Sequence, residues 1–452
     1  MSAQTAALTA HIASALEREL PHHVVVKVGC HLLDTVAAAV SGAGMAPGRR
    51  GFEIASGLGG HEEATIIATR GRTNAVGAAL ANGMAAHADE TDDSHPASLS
   101  HPGCGVVPAA LAVAEAHGRS GVDLVRAIAS GYDAGCRVGR AVGLEVLDLR
   151  LSTRSSHALV GTFGAAAAAA SLYQLSARQC GHVLSYAAQQ AAGVTSWMRD
   201  LHHVEKAYVF AGQPASQGVL AARMVAGGSD GVDDVFSGHP NFLDATGPSP
   251  RRVELSAELG TRFEVVETNI KRYSVGSPAQ AAVQAAEELV VEHGRPFTAD
   301  ELAGIEIRLS ADLARVVDNR SMADINVQYL VAATLLDGRC SFALAHDDER
   351  LNDATIEQLV TVTELVPDEA LLGGRKAVLT LALKDGDRVS QRVDRVRGTV
   401  SNPMTPGEVR DKAEDLMAPV LGSSRTSQLC QLLLDPARVA DVREITTLLA
   451  AD

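Results

Sequence analysis

Apolar side chains along residues 3–18 recur at helical spacing, and residues 24–39 repeat the pattern with Leu32, Leu33, Val36 and Ala39 on one face. Pro21 suits the entry to that second helix, where its missing N–H removes no hydrogen bond. Gly42, Gly44, Pro47 and Gly48 read as a turn-rich exit. The same periodicity predicts helices over 73–87, 105–118, 122–140, 156–172, 176–193 and 213–227. The alanine run 165–170, extended by Val160, Phe163 and Leu172, predicts a buried helix that neighbours can approach closely. No repeat with a period of about 20–50 residues accompanies it.

Near residue 262 the period changes. Phe263 and Val265, then Ile305, Ile307 and Leu309, alternate as strands do, while 279–291 and 322–336 keep helical spacing. Residues 377–383 and 389–396 predict two strands joined by Lys384-Asp385-Gly386-Asp387-Arg388, because Asp-Gly tolerates the backbone of a hairpin turn. Pro403 and Pro406 end that region, and helical segments at 407–416, 424–434 and 437–449 are expected to return to the first domain.

Composition narrows the function. The 452 residues are 46% hydrophobic but only 3% aromatic, with 41 glycines, so a large core must be built from small side chains. A formal charge of -15 with no Lys/Arg block argues against nucleic acid, although one local basic pocket for an acidic ligand remains compatible with it. The six cysteines are dispersed with no CxxC pair, which fits reduced intracellular thiols rather than disulfides, a zinc ribbon or an iron-sulfur cluster. The N-terminal residues lack a secretory pattern, and no convincing apolar run of roughly 20 residues predicts a bilayer span. A cytoplasmic protein without membrane contact is expected.

Candidate chemistry concentrates at Gly83-Met84-Ala85-Ala86-His87-Ala88-Asp89-Glu90-Thr91-Asp92-Asp93-Ser94-His95, followed by His101-Pro102-Gly103. Four carboxylates and three imidazoles follow an apolar helix, and such groups can share protons near neutral pH. The same residues would also serve as a helix-capping, hydrogen-bonded turn. His87, Glu90, Asp92, Asp93, His95 and His101 offer metal donors, but without HExxH or EF-hand spacing no metal is expected. Further candidates are His157, Lys206, and Lys271 with Arg272, the cations being suited to substrate carboxylates. GLGG at 57–60 is not a dinucleotide fingerprint and no P-loop occurs, so no cofactor is expected.

Taken together, HADETDDSH, HPGCGVVPAALAVAE, VGTFGAAAAA, the Lys206 region, NIKRYS, YLVAATLLDG and SNPMTPGEVRDKAEDL resemble the MmgE/PrpD family over most of the chain. That family includes 2-methylcitrate dehydratases, cis-aconitate decarboxylases and iminodisuccinate epimerases. The resemblance implies a mainly α fold: a large helical domain, 1–261 plus 399–452, completed by both termini, with an inserted smaller α+β lid domain at 262–398. It also implies a homodimer.

In the family's HAxDxDD segment the matching position is Glu90, with Asp89 before it; Asp93, Ser94 and His101 match further site positions, and Lys206 and Lys271 match two substrate-contacting lysines. Two departures stand out. Ser155-Ser156-His157 moves an imidazole by two positions, and Val209 and Phe210 stand where a histidine is common. The implied activity is a cofactor-independent hydro-lyase acting on a small hydroxy di- or tricarboxylate, as in 2-methylcitrate dehydratase. His101, Glu90 or Asp93 would remove the proton, Lys206 and Lys271 would offset charge, a second acid would protonate the departing hydroxyl, and His157 is the backup acid-base candidate. Asp89, Ser94, Arg272 and Tyr273 would contact substrate. A cis-aconitate-type decarboxylase is the alternative, followed by an epimerase or a noncatalytic carboxylate-binding homodimer.

Overall fold

Small side chains set the architecture, and polar caps set where its helices begin. The structure is a computed structural model that describes residues 1–143, 153–247 and 249–451. The chain divides into two units, one comprising Met1–Ala88, Asp92–Asn269 and Thr405–Asp452, the other Asp89–Thr91 and Ile270–Met404.

The first unit opens with helices α1 (Ala3–Ala13), α2 (His22–Gly42) and α3 (Ala46–Leu58), followed by a hairpin of β1 (Ala64–Thr65) and β2 (Arg72–Thr73). Then come α4 (Ala75–Ala86), α5 (Gly103–Ala116), α6 (Gly121–Val142), α7 (Ser156–Leu172) and α8 (Ala177–Gln190). A short α9 (Val204–Ala207) runs through a π-helical turn, Tyr208–Gly212, into α10 (Gln213–Ala226), and α11 (Phe242–Thr246) follows. Side-chain oxygens of Ser2, Asn74, Ser120, Ser155 and Ser176 accept first-turn N–H groups of α1, α4, α6, α7 and α8, satisfying donors that a helix otherwise leaves open.

Helix α7 is the centre of this unit and packs against α5, α6, α8 and α10. Its residues Ala165, Ala166, Ala167, Ala168 and Ala169 have no exposed surface. Approach is so close that a Cβ on Gly135 of α6 would lie 2.4 Å from the Val160 carbonyl oxygen, and one on Gly218 of α10 would lie 2.4 Å from the Ala165 methyl. The alanine and glycine content thus becomes interhelical proximity, which supplies dispersion contacts that bulky side chains would otherwise provide. Helix α2 is long and apolar enough to cross a membrane by length and composition, but 83% of its apolar window is buried inside the fold.

The second unit carries α12 (Gln280–His293), β3 (Leu302–Leu309), α13 (Ala311–Val317), α14 (Val327–Asp337), α15 (Phe342–Ala345), α16 (Ala354–Thr361), β4 (Thr363–Pro367), β5 (Ala377–Leu383) and β6 (Arg388–Val393). The sheet order is β4-β3-β5-β6, with β3 parallel to β4 and antiparallel to β5. Leu302, Ile305, Ile307 and Leu309 of β3, with Ala377, Leu379 and Leu381 of β5, share a core with Val283, Leu289, Leu330 and Leu335 of the helices. The chain then returns to the first unit as α17 (Pro406–Leu421), α18 (Ser423–Leu434) and α19 (Arg443–Leu449). The result is mainly α with a small α+β region.

Several boundaries differ from the sequence expectations. The turn after α2 is confined to residues 43–45: Pro47 already sits in the first turn of α3, where its missing N–H is harmless. Phe263 lies in irregular chain and Val265 in a turn, neither in a strand. Helix α14 starts at Val327 because Asn326 caps it through the Tyr329 N–H at 3.0 Å. The first helix stops at Ala13, before a short 3₁₀ turn, and 437–449 splits into a 3₁₀ turn and α19.

The return helices are fastened by a buried ion pair: Lys412 Nζ of α17 lies 2.6 Å from Asp34 Oδ1 of α2, with Asp34 1% and Lys412 9% exposed. Burial pushes the Asp34 carboxyl up to about 6 despite the ammonium beside it. Lys412→Met removes that ammonium and is expected to lower unfolding stability by about 3 kcal/mol near neutral pH, since a lone buried carboxylate remains. The folded pKa lies above the unfolded one, so ionisation of Asp34 disfavours the fold as pH rises through that interval. Chemical denaturation should therefore show a smaller loss in the variant at about pH 5 than at about pH 7.5.

Candidate active site

His87 caps the C-terminus of α4, and the chain then leaves helical geometry for residues that include Glu90 at φ +59° and Leu99 at φ +49°. Non-glycine residues tolerate this left-handed conformation only where their surroundings hold it. The loop closes on itself through His95 N–H to Ser100 O at 2.8 Å, and Pro102 then leads into α5.

Within the first unit, Asp92 gathers two imidazoles. Its Oδ2 lies 2.8 Å from His87 Nδ1 and 3.1 Å from His101 Nδ1, and Asp92 has no exposed surface. Burial alone would raise this carboxyl, but His87 and His101 outweigh it and hold the group well below the usual carboxylate range. The Asp92 carboxylate accepts a hydrogen bond from His87 Nδ1, which assigns an N–H to that atom, while His101 turns its Nδ1 to the same oxygen at ion-pair distance. The Nε2 atom of His101 is then the position that can take or give a proton.

Aromatic rings frame the imidazoles. Phe210 is stacked on His87 at 4.3 Å and on His157 at 3.6 Å between ring centroids, with interplanar angles of 14° and 16°. Two such stacks fit only on opposite faces, so Phe210 is the middle layer. His101 meets the edge of this stack, 5.0 Å from His157 and 5.6 Å from Phe210. Trp197 stands edge-on to Phe210 at 4.6 Å, and Lys206 Nζ lies 5.7 Å and 5.4 Å from the Trp197 and Phe210 centroids. His157, at the start of α7, is pushed well below the ordinary imidazole range by burial and then by His101 and His87. The positive end of α7 acts in the same direction.

The backbone explains how Phe210 reaches this place. In the π turn, the Gln213 N–H returns to Tyr208 O, one residue further back than in an α-helix. Pro214 follows, and having no N–H it cannot bond the Phe210 carbonyl. The Cys104 thiol instead contacts that oxygen at 3.8 Å. His87, Asp92 and Cys104 are also the described residues whose donor atoms, all within 4.8 Å, could hold a metal ion.

Asp93 faces elsewhere. Its Oδ2 accepts from His31 Nδ1 at 2.8 Å and Tyr132 Oη at 2.5 Å, while Oδ1 accepts the Gly103 N–H at 3.0 Å. The Ser94 backbone pairs with Asn269.

In the second unit, Lys271 Nζ donates to the Glu90 carbonyl at 2.5 Å and lies 3.4 Å from Glu90 Oε2. His346 Nε2 is 3.2 Å from the Asp89 carbonyl, and Asp89 Oδ1 accepts the Thr91 N–H at 3.1 Å. Tyr273 Oη and Arg272 Nη2 reach Glu287 at 2.8 and 3.3 Å, beside a cavity of about 340 Å³.

The expected residues His101, His157 and Lys206 therefore come together around Phe210, while Lys271, Glu90 and Asp89 form their own cluster and Arg272 and Tyr273 meet at Glu287. His87 and Asp92 belonged to the acid-base segment the sequence singles out, and as metal donors, but were not among its named catalytic residues. The roles of Trp197, His31 and Tyr132 carried no local sequence signal, and the helix-breaking Pro214 was the one sign of the altered turn.

Two family models match the chain, the MmgE/PrpD N-terminal domain over residues 6–253 and the MmgE/PrpD C-terminal domain over residues 273–435. A cis-aconitate decarboxylase-like protein of Aspergillus oryzae is 24% identical, across 99% of this chain and 97% of that protein. The cis-aconitate decarboxylase of Aspergillus terreus is 24% identical across 97% of this chain and 94% of its own length. The human cis-aconitate decarboxylase is 26% identical across 82% of this chain and 79% of its own length.

Histidine-selective ¹⁵N NMR tests the electrostatics directly. The ring signal that disappears in His157→Asn should belong to a neutral imidazole at about pH 6, where an ordinary histidine is mostly protonated. A His157 signal titrating in the ordinary range would contradict the burial and charge argument.

Proposed function

The chain belongs to the MmgE/PrpD family, and from that premise we propose that it is a lyase releasing carbon dioxide from a small unsaturated tricarboxylate of the cis-aconitate type. The relatives named cis-aconitate decarboxylase support this direction across nearly the full chain. The observation that carries it is the His101–Asp92–His87 cluster, a proton-transfer group beside one ammonium and a ring-lined wall.

In this reading the bond from the departing carboxylate to its carbon breaks, and the electron pair stays on the substrate. Allylic delocalisation carries it through the neighbouring double bond towards a second carboxylate. The Lys206 ammonium offsets the developing charge, and protonated His101 delivers its Nε2 proton to carbon. Asp92 favours that imidazolium and fixes its tautomer. Tricarboxylate plus one proton gives dicarboxylate plus carbon dioxide, and solvent reloads the ring. His157, held neutral, contributes hydrogen bonding without adding a further cation.

Lys271, Glu90, Asp93, Asp89, Ser94, Arg272 and Tyr273 keep proposed site roles through their family-matched positions or segments. A cytoplasmic, cofactor-free homodimer belongs to the same reading, the dimer by family resemblance and the other two by the targeting, disulfide and nucleotide-binding patterns of the sequence. Water loss from a hydroxy tricarboxylate such as 2-methylcitrate would use His101 in reverse, as a base. The relatives' names are the reason decarboxylation is put ahead of it.

The test is incubation of the purified protein with cis-aconitate, 2-methylcitrate and citrate, with products resolved by mass and chirality. Mass loss of carbon dioxide from cis-aconitate is expected, and His101→Ala should reduce kcat by roughly 10²–10⁴ with folding retained. Water loss from 2-methylcitrate alone would replace decarboxylation with dehydration. Binding without turnover of any acid would refute the enzymatic reading.

A further inference from the structure

Asp93 has no exposed surface, and neither have His31 of α2 or Tyr132 of α6. A carboxylate so enclosed must find its donors in the protein, because leaving it unpaired would be costly. His31 and Tyr132 converge on Oδ2, at 2.8 and 2.5 Å, and leave Oδ1 to the Gly103 N–H at 3.0 Å. That last bond reaches the first residue of α5.

The seat is tight. A Cβ on Gly103 would fall 2.7 Å from Tyr132 Oη and 2.8 Å from Asp93 Oδ2, so the start of α5 rests directly on this network and the position requires glycine. His101 is separated from Gly103 only by Pro102, whose ring restricts the backbone between them. At the other end of the loop, Asp92 is the covalent neighbour of Asp93 and holds the His101 ring at 3.1 Å. Both ends of the loop that orients His101 are thus tied to one carboxylate.

We propose that His31 and Tyr132 are positioning residues for His101, acting through Asp93, which locks residues 93–103 so that Asp92 and the His101 ring stay in register. Neither residue meets the reacting atoms. Their assignment rests on the reading that His101 carries the proton. A well-packed framework of this kind matters because a displacement of about 1 Å in a reacting group costs on the order of 10²-fold in rate.

Tyr132→Phe, His31→Asn and His31→Leu in the full-length protein test this. An asparagine amide can donate from near the position of Nδ1, whereas leucine cannot. Tyr132→Phe and His31→Leu are expected to lower kcat roughly tenfold or more with KM nearly unchanged, and His31→Asn to restore most of the rate. The Nδ1–H proton resonance of His101 beside Asp92, assigned by its loss in His101→Ala, should broaden or vanish in the two disabling variants and persist in His31→Asn. That readout needs no substrate, so failure of the proposed reaction and failure of this proposal are distinguishable. Retention of both kcat and the resonance in Tyr132→Phe would overturn it, as would equal losses in His31→Asn and His31→Leu. Should His31→Leu not fold, Tyr132→Phe decides, because it keeps the ring that packs there.

Discussion

Two consecutive carboxylates buried without exposure, Asp92 and Asp93, impose the constraint on which the helical unit is organised. Each needs hydrogen-bond donors that water cannot supply, and one peptide unit separates them. Their side chains therefore recruit from different sides: His87 and His101 for Asp92, His31, Tyr132 and the Gly103 N–H for Asp93. Helices α2, α4, α5 and α6 each end at, start from, or carry a member of these two sets. Charge satisfaction thus helps determine where four helices stand.

Such organisation is compatible with a core poor in aromatic side chains because the helices can come close. Around α7, hydrogen atoms on glycine and methyl groups on alanine leave room for backbones to approach, and dispersion grows as gaps shrink. Phe163, Phe236 and Phe242 form a separate ring cluster, while Phe210 and Trp197 pack with three histidines and one lysine where chemistry is proposed. A rigid ring wall there limits water and fixes imidazole planes, which elsewhere in the core would bring no comparable benefit.

Much of the fold was legible because alanine-rich segments with strong periodicity, such as 156–172, leave little choice but helix, and β3 alternates over enough residues to register as a strand. The segment 263–265 was too short for alternation to outweigh turn formation, and glycine with proline concealed α3. At the site, the acidic motif was visible but the division of labour within it was not. Asp89, Glu90, Asp92 and Asp93 are chemically alike as letters, and the left-handed backbone at Glu90 is one of the conformational facts that separate their partners. Contacts such as His31 to Asp93, 62 positions apart, arise only from the packing of helices.

The π turn at Tyr208–Gly212 bears on how this chain can vary. It amounts to one residue inserted into an otherwise helical run, and each residue of an α-helix advances the side-chain direction by about 100°. Removing a single residue between Lys206 and Pro214 would let the hydrogen bonds revert to the regular pattern, yet would swing everything on one side of the deletion around the helix axis. Phe210 could then no longer keep its place between His87 and His157 while α10 keeps its packing against α7. Along this stretch the number of residues is therefore more tightly constrained than their identities, so length variants should be rarer here than substitutions of comparable chemical size.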